Sequence, residues 1–506
     1  MSKLNANNGN GHSLETWLWD AACSIRGEIE ASKYKDFIIP LIFLKRLDDV
    51  FEDELLKISE SREISLAMVK EDHKLVRFYI PEETRWSRIM DQQNSLGEYI
   101  TSAMRRLSRE NPKLEGVVDI IDFNESTGGQ RTISDNSLRK LLEILDQKRL
   151  GLNDIDSDLL GNAYEYLLGK FSEGSGKSAG EFYTPREIAE LIGRILDPQE
   201  GEEIYDPACG SGGLLVRASS AFVSRHGNDS SLNFPRLYGQ EINRTTYAMA
   251  RMNAIIHDVE ADIRIGDTME RPAFLENDGS LRVFDKVTAN PMWNQNFDPK
   301  ALENDPFNRF SYGTTPKSSG DWAWIQHMLA SAKSRVAVVL DQGSLFRGNT
   351  EGKIRSAIVS KDLLEGVVSL PEKLFYNTGA PGAILIFNKD KPVERKGRIC
   401  FINASNEFRK HTEIRRLNQL SPENINRIAQ VFESFSDEAG FSRVVDLEEI
   451  EKNNGNINVT LYVSPASEEE QIDIRATMSE IAALDQDLAK VESKLKGFLK
   501  ELGYLD

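Results

Sequence analysis

Between residues 203 and 388, short β-rich runs alternate with amphipathic helical stretches, and this alternation leaves the chain few architectures. The runs "EIYD" (203–206), "RLYGQE" (236–241), "DIRIGD" (262–267), "VFDKVTAN" (283–290), "RVAVVLD" (335–341), "EGVVSL" (365–370) and "AILIFN" (383–388) read as strands. Between them, "GLLVRASSAFVSR" and "RTTYAMARMNAIIH" read as helices. Such alternation predicts a doubly wound α/β fold around a mostly parallel sheet. Ligands of these sheets bind beyond the carboxyl ends of the strands. The turns that follow the strands are therefore where chemistry is sought.

The flanks differ in texture. Residues 1–13 form a polar tip, and 14–170 read as helical. "LETWLWDAACSIRG" and "KDFIIPLIFLKRLDDVFEDELLK" space apolar residues by three and four, with Pro40 expected to begin or kink a helix. "NDIDSDLLGNAYEYLLGKF" carries Ser/Asp start signals before another amphipathic helix. This first third reads as a docking or clamp domain. The catalytic domain is expected over 171–405, a mixed extension over 406–470 and a helical tail over 471–506. In that tail Met478, Ile481, Leu484, Leu488, Val491, Leu495, Phe498 and Leu502 step by three or four. The pattern suits a coiled coil with a partner, or equally a helix packed on the chain's own core.

Composition narrows the function classes. With 40% hydrophobic and 28% charged residues the chain reads as an ordinary globular protein. No apolar run approaches the roughly 20 residues that span a bilayer, and the polar start lacks a signal core; a cytoplasmic location is expected. Three separated cysteines offer no disulfide framework, and neither they nor the six scattered histidines have metal-site spacing. No metal is expected. The net charge, 62 − 80 = −18, lacks the basic excess of a protein that grips DNA unaided. If DNA is the substrate, a partner supplies part of the grip.

"GSGKS" (174–178) resembles the end of an ATP loop, but the first glycine of that motif would fall on Phe171, after a helical segment. It reads as a linker. In "EFYTPREIAELI", Thr184-Pro185 can cap a helix. "EIYDPACGSGGLLVRA" sets Asp206 at a strand end before a glycine turn and a helix start near Gly213, where the backbone can approach a ligand. Glu241 and Asp267 end the next two strands. A carboxylate at the second strand end can take ribose hydroxyls. "DKVTANPMWNQNF" runs a strand into Asn290-Pro291-Met292-Trp293. Its amide and indole suit a planar, amine-bearing base, or form an Asn-Pro turn over a core tryptophan.

Taken together and in order, "EFYTP", "DPACGSGG", "QE", "GDT" and "NPMW" resemble the amino-group DNA methyltransferases. More closely, the chain is similar to the methylation subunits of type I restriction–modification systems. "FIIPLIFLKRLDDVFE" resembles that family's helical domain, and "LPEKLFYNTGAPGAILIFNK" its late sheet strands. The resemblance implies a Rossmann-like, seven-stranded fold that uses S-adenosylmethionine, with a helical N-terminal domain and a helical C-terminal tail. It implies that Glu181, Phe182, Tyr183, Thr184, Pro185 and Arg186 wrap the cofactor from one side. Asp206, Ser211, Gly212 and Gly213 would lie beneath its methionine part, Glu241 would take the ribose and Asp267 would meet the adenine ring. Asn290 and the Pro291 carbonyl would accept hydrogen bonds from a target adenine's amine, with Trp293 stacked on the base. Cys209 is read as a packing residue, since amine methylation needs no cysteine nucleophile.

The family motif has a second proline where this chain has Met292. By resemblance, a separate specificity subunit chooses the DNA sequence, two methylation subunits clamp the DNA, and a restriction (motor-nuclease) subunit can join; "NNGNINVTLYV" (453–463) resembles the segment leading into the tail. Other readings stay open at this point. They are methylation of cytosine's amine or of a protein amide, and a methyltransferase-like scaffold without activity.

Overall fold

A computed structural model describes residues 13–25, 33–174 apart from 156, and 183–464 apart from 228, 230, 377 and 413. In the C-terminal stretch it describes 484, 488, 490–497 and 499–500. A nine-stranded sheet forms the centre. Its strands are β1 (Glu203–Asp206), β2 (Arg236–Glu241), β3 (Ala261–Ile265), β4 (Lys286–Ala289), β5 (Arg335–Asp341), β6 (Leu364–Ser369), β7 (Gly382–Asn388), β8 (Arg398–Asn403) and β9 (Ser442–Asp446). Their order across the sheet is β9-β8-β6-β7-β5-β4-β1-β2-β3. β7 runs antiparallel to both neighbours, β5 and β6. β9 is antiparallel on β8, and the remaining pairs are parallel.

Seven of these strands coincide with the runs read from the sequence. β8 and β9 exceed the expected seven and extend one edge. The last of them comes from residues 442–446, so the segment after 405 takes part in the same sheet. The interior strands β4, β6 and β7 are buried along their whole length, which is why they appear as continuous apolar runs. The chain moves from β1 outward to β3 and then crosses back to β4 on the other side of β1. That reversal opens a crevice beyond the carboxyl ends of β1 and β4.

The first third is helical, with α1 (Leu14–Cys23), α2 (Tyr34–Arg62), α3 (Leu96–Glu110), α4 (Asp135–Leu145) and α5 (Ser157–Gly174). α2 continues through Pro40, the seventh of its 29 residues. The helices share an apolar core that also takes in Ala248, Met249, Met252 and Ile256 of a sheet-flanking helix, Arg244–Ile256. Two polar contacts reinforce this joint. Tyr164 of α5 donates to the Met249 carbonyl at 3.2 Å, and Glu165 pairs with Arg217 in a buried ion pair. Of the C-terminal heptad positions, Leu484, Leu488, Val491 and Leu495 are exposed; Met478, Ile481, Phe498 and Leu502 lie outside the described residues. Among the described residues no helix is long and apolar enough to cross a membrane.

Candidate functional site

The crevice holds a cavity of about 260 Å³, whose lining includes Tyr183, Ser211, Glu241, Asp267, Asn290, Pro291 and Met292. Its volume is close to the lower bound of small-molecule clefts, roughly 300 Å³. Five separate stretches of sequence thus meet at one place. A larger groove of about 1000 Å³, lined by Arg186, Arg194 and Arg225, reaches Arg335 at the amino end of β5. Arg194 and Arg225 are paired with Glu190 and Asp197. The ligand position expected for this fold is at the other end of the sheet.

β1 ends at Asp206, which is fully buried and precedes Pro207 and Ala208 of the cavity lining without itself lining it. One carboxylate oxygen accepts from the Ala208 N–H at 3.0 Å, and the other has no hydrogen-bond partner among the described residues. Burial pushes its pKa up to about 8, and the nearby Glu241 carboxylate adds to the rise. The turn that follows uses two glycines in the left-handed region, Gly210 at φ 55° and Gly212 at φ 80°. Gly212 precedes a helix over Gly213–His226. A Cβ at Gly210 or Gly213 would meet nothing within 4 Å among the described residues, so open space faces this backbone. Asn253 holds the turn by donating to the Ser211 carbonyl at 3.0 Å. Cys209 is buried, its Sγ close against Gly239; burial raises its pKa, which fits a packing role.

Glu241 ends β2 and accepts from the Gly210 N–H at 3.0 Å and the Asn243 N–H at 2.8 Å, one on each oxygen. Asp267 follows β3, and its Oδ1 accepts from the Met269 N–H at 2.8 Å. Both side chains are thereby oriented before any ligand arrives. An unpartnered buried carboxylate oxygen, an open glycine backbone and two oriented acids fit a nucleoside-bearing, cationic cofactor such as S-adenosylmethionine.

Asn290 follows β4. Its Nδ2 donates to the Thr184 hydroxyl at 3.0 Å, and its Oδ1 accepts from the Trp293 indole at 3.2 Å. Thr184 and Asn290 are 106 residues apart, so this bond joins two motifs that look independent in sequence. Thr184 therefore does not cap the next helix. Pro185 occupies the cap position before Arg186–Leu196, with no side-chain cap bond.

Several of the expected residues lie away from the cavity. Trp293 is buried and absent from the cavity lining. Its N–H, which needs partners once buried, is shared between Asn290 and the Val339 carbonyl at 3.2 Å, and its ring packs edge-on against Phe375. Met292, not Trp293, faces the cavity. Arg186 lies in the larger groove, because the first turn of its helix carries it away from the crevice. Of residues 181–186, Tyr183 lines the cavity, its hydroxyl donating to the Glu165 carbonyl at 3.0 Å. Glu181 and Phe182 lie outside the described residues.

Lys35, Leu168, Asn243, Gln295 and Trp324 also line the cavity and went unread in the sequence. Asn243 had a legible signal, since it caps Arg244–Ile256 by accepting from Thr245 and Thr246 N–H groups. Lys35 and Leu168 had none, because they arrive from the helical domain only through tertiary packing.

Comparison with known proteins places this geometry in context. Residues 155–471 match the N-6 DNA Methylase family, and residues 14–145 match the HsdM N-terminal domain. A type I restriction enzyme methylase subunit, MjaVII, of Methanocaldococcus jannaschii is 37% identical over 92% of this chain and 81% of its own length. The HindI methylase subunit of Haemophilus influenzae is 33% identical over 81% of this chain and 94% of its own. The crystal structure of a type I restriction-modification methyltransferase subunit from Streptococcus thermophilus superposes with a TM-score of 0.76 at 28% identity. That alignment covers 89% of this chain and 99% of that one.

Proposed function

This chain belongs to the N-6 DNA methylase family, and on that premise we propose that the cavity beyond β1 and β4 binds S-adenosylmethionine and the adenine to be methylated. The chain is a methylase subunit of the type I restriction–modification kind, an adenine-specific DNA methyltransferase. One observation carries the assignment of the site. The Asn290 amide stands at the carboxyl end of β4 on the cavity wall, fixed by Thr184 and Trp293.

When bound, the cofactor supplies an electrophilic methyl group. Glu241 would hold the ribose hydroxyls and Asp267 the adenine ring. The Ser211–Gly213 backbone and Asp206 would hold the methionine part. Tyr183 would close one wall. Adenine's exocyclic amine is a weak nucleophile, because its lone pair is delocalised into the ring. The Asn290 carbonyl oxygen and the Pro291 carbonyl would accept its two N–H bonds and favour a tetrahedral nitrogen. Alignment and oriented dipoles then carry much of the rate. Trp293 acts from beneath, setting the Asn290 oxygen. The base must leave the duplex to enter, so base flipping is part of the reading.

The chain works in a multisubunit assembly. We assign residues 14–170 to clamping and docking, and the exposed apolar residues of the tail to a helix of the specificity subunit. A second methylation subunit and, where present, a restriction subunit complete the complex on DNA. The acidic net charge of −18 agrees with a DNA grip shared among chains.

The test is a map of modified bases in DNA from cells expressing this chain with its neighbouring operon genes, beside an Asn290→Ala version. Methyladenine at one two-part sequence, lost in the variant, is the expected outcome. Methylcytosine instead would overturn the adenine reading, and no modification in either, despite an assembled complex, would overturn catalysis.

A further inference from the structure

The loop that carries Asn290 is tethered at its far end by a cluster that the reaction scheme above does not use. Asn294 sits four residues on, in the left-handed region at φ 54°. Its N–H donates to Asp321 Oδ1 at 2.8 Å, and its Nδ2 to Asp341 Oδ2 at 2.5 Å. Its Oδ1 accepts from Arg347 Nη1 at 2.7 Å. All three of these groups are thus spent on charged side chains, the stronger class of hydrogen bond.

Arg347 is the hub. It pairs with Asp321, with Asp341 at 3.2 Å and with Glu351 at 3.0 Å. The Asp321 side chain is fully buried and that of Glu351 is 5% exposed; Ser319 also donates to Glu351, at 2.9 Å. Each carboxylate comes from a different element. Asp321 opens the helix Asp321–Ala330, Asp341 ends β5, and Glu351 lies in the helix Asn349–Ser360. The guanidinium serves Asn294 and three carboxylates at once with five N–H donors in a rigid fork, whereas a lysine offers three from a single nitrogen. Between the two tethers only Pro291, Met292 and Trp293 intervene, and Trp293 is itself bound to the Val339 carbonyl.

We propose that Arg347, with Asp321 and Asp341, is a positioning group for methyl transfer, which holds Asn294 and so sets where the Asn290 amide and Pro291 carbonyl stand. Burying two of these carboxylates, Asp321 and Glu351, is a costly way merely to stabilise a fold. Here they converge on one exposed loop residue beside the cavity. A displacement of about 1 Å at reacting groups can cost roughly a hundredfold in rate.

The inference rests on the proposed adenine methylation, and the test separates the two. The full chain, in complex with its co-expressed partners, would be compared as wild type, Arg347→Lys, Arg347→Met and Asn294→Gly. The last keeps the left-handed backbone and the buried charge cluster while removing only the side-chain tether. Steady-state kcat and KM for DNA, cofactor affinity by calorimetry and amide hydrogen exchange over 290–294 would be read. We expect kcat to fall about a hundredfold in Arg347→Met and about tenfold in Asn294→Gly, with Arg347→Lys between. Cofactor affinity should stay within twofold, and exchange at Asn294 should accelerate. A folded Asn294→Gly with kcat within threefold of wild type, or cofactor affinity falling in step with kcat, overturns the positioning role. An inactive wild-type complex overturns the methylation reading itself and the catalytic part of this inference with it, whatever the exchange data show.

Discussion

At the end of β1, Asp206 is fully buried, with one carboxylate oxygen that has no partner among the described residues. At the end of β4, Asn290 has both amide atoms engaged, to Thr184 and Trp293. These two strand ends are neighbours across the same crevice and are prepared in opposite ways. The first carries unspent hydrogen-bonding capacity and a carboxyl whose pKa is pushed up to about 8. The second is satisfied within the protein and needs only to offer its remaining lone pairs. A site for a tightly held, charged cofactor can leave a polar group waiting for it. A site for a base that visits transiently must be set beforehand, because each visit is too short for the loop to reorganise.

The comparison can be broken most sharply at Asn290. Replacement by Ala should lower kcat for methyl transfer by about 10²–10³-fold, as loss of an oriented polar group does elsewhere, while calorimetric cofactor affinity stays within threefold. A matching fall in affinity would show that the two ends are not separate. Asp206→Asn should do the converse, weakening cofactor binding by about 10–100-fold.

The same substitution has a pH signature. In the folded, unliganded chain Asp206 holds its proton up to about pH 8, whereas unfolded it ionises near pH 4. Between those values the unfolded state binds fewer protons, so wild-type stability falls as pH rises and levels off above about 8. Asp206→Asn lacks this loss. Its melting temperature should match the wild type near pH 4 and exceed it by a few degrees at pH 8.5, without cofactor. A gap that narrows with rising pH would sink the buried-carboxyl account.

Trp293→Phe keeps an aromatic ring but removes the indole N–H that Asn290 and the Val339 carbonyl share, with part of the ring. A net hydrogen bond of about 1 kcal/mol corresponds to a fall in kcat of about fivefold, measured under saturating cofactor and DNA. The smallest effect is expected for Met292→Pro, which restores the family's second proline. With the loop tied at Thr184 and at Asn294, kcat should stay within about threefold; a larger change would mean that Met292 itself sets the cavity.

Much of this was legible before any coordinates. The seven runs read as strands are strands; β4, β6 and β7 show as continuous apolar runs because they are buried along their length, whereas the edge strand β3 shows by its place in the alternation. "RICFIN" (398–403) has the same character but sits beyond the expected seven, and "SRVVD" (442–446) is too short and mixed to stand out. Asp206, Glu241, Asp267 and Asn290 were readable as strand-end residues. Trp293 reads from sequence either as a stacking face or as a core ring. Whether an aromatic ring after a turn faces out or in depends on what its N–H can reach, here the Val339 carbonyl 46 residues on. Arg186 misled for a related reason, since one residue along a helix turns a side chain by about 100°. Lys35 and Leu168 enter the cavity wall only because two layers share a core around Met249 and Met252.

The outermost position of β9 bears on how the molecule is made. β8 pairs with β6 on one side and needs residues 442–446 on the other. During synthesis all the cavity-lining residues have left the ribosome before that last strand exists. Until residue 446 follows, a nearly complete enzyme exposes the unpaired flank of β8, an open template for other nascent chains. The five-residue strand thus acts as a late seal on that edge of the sheet.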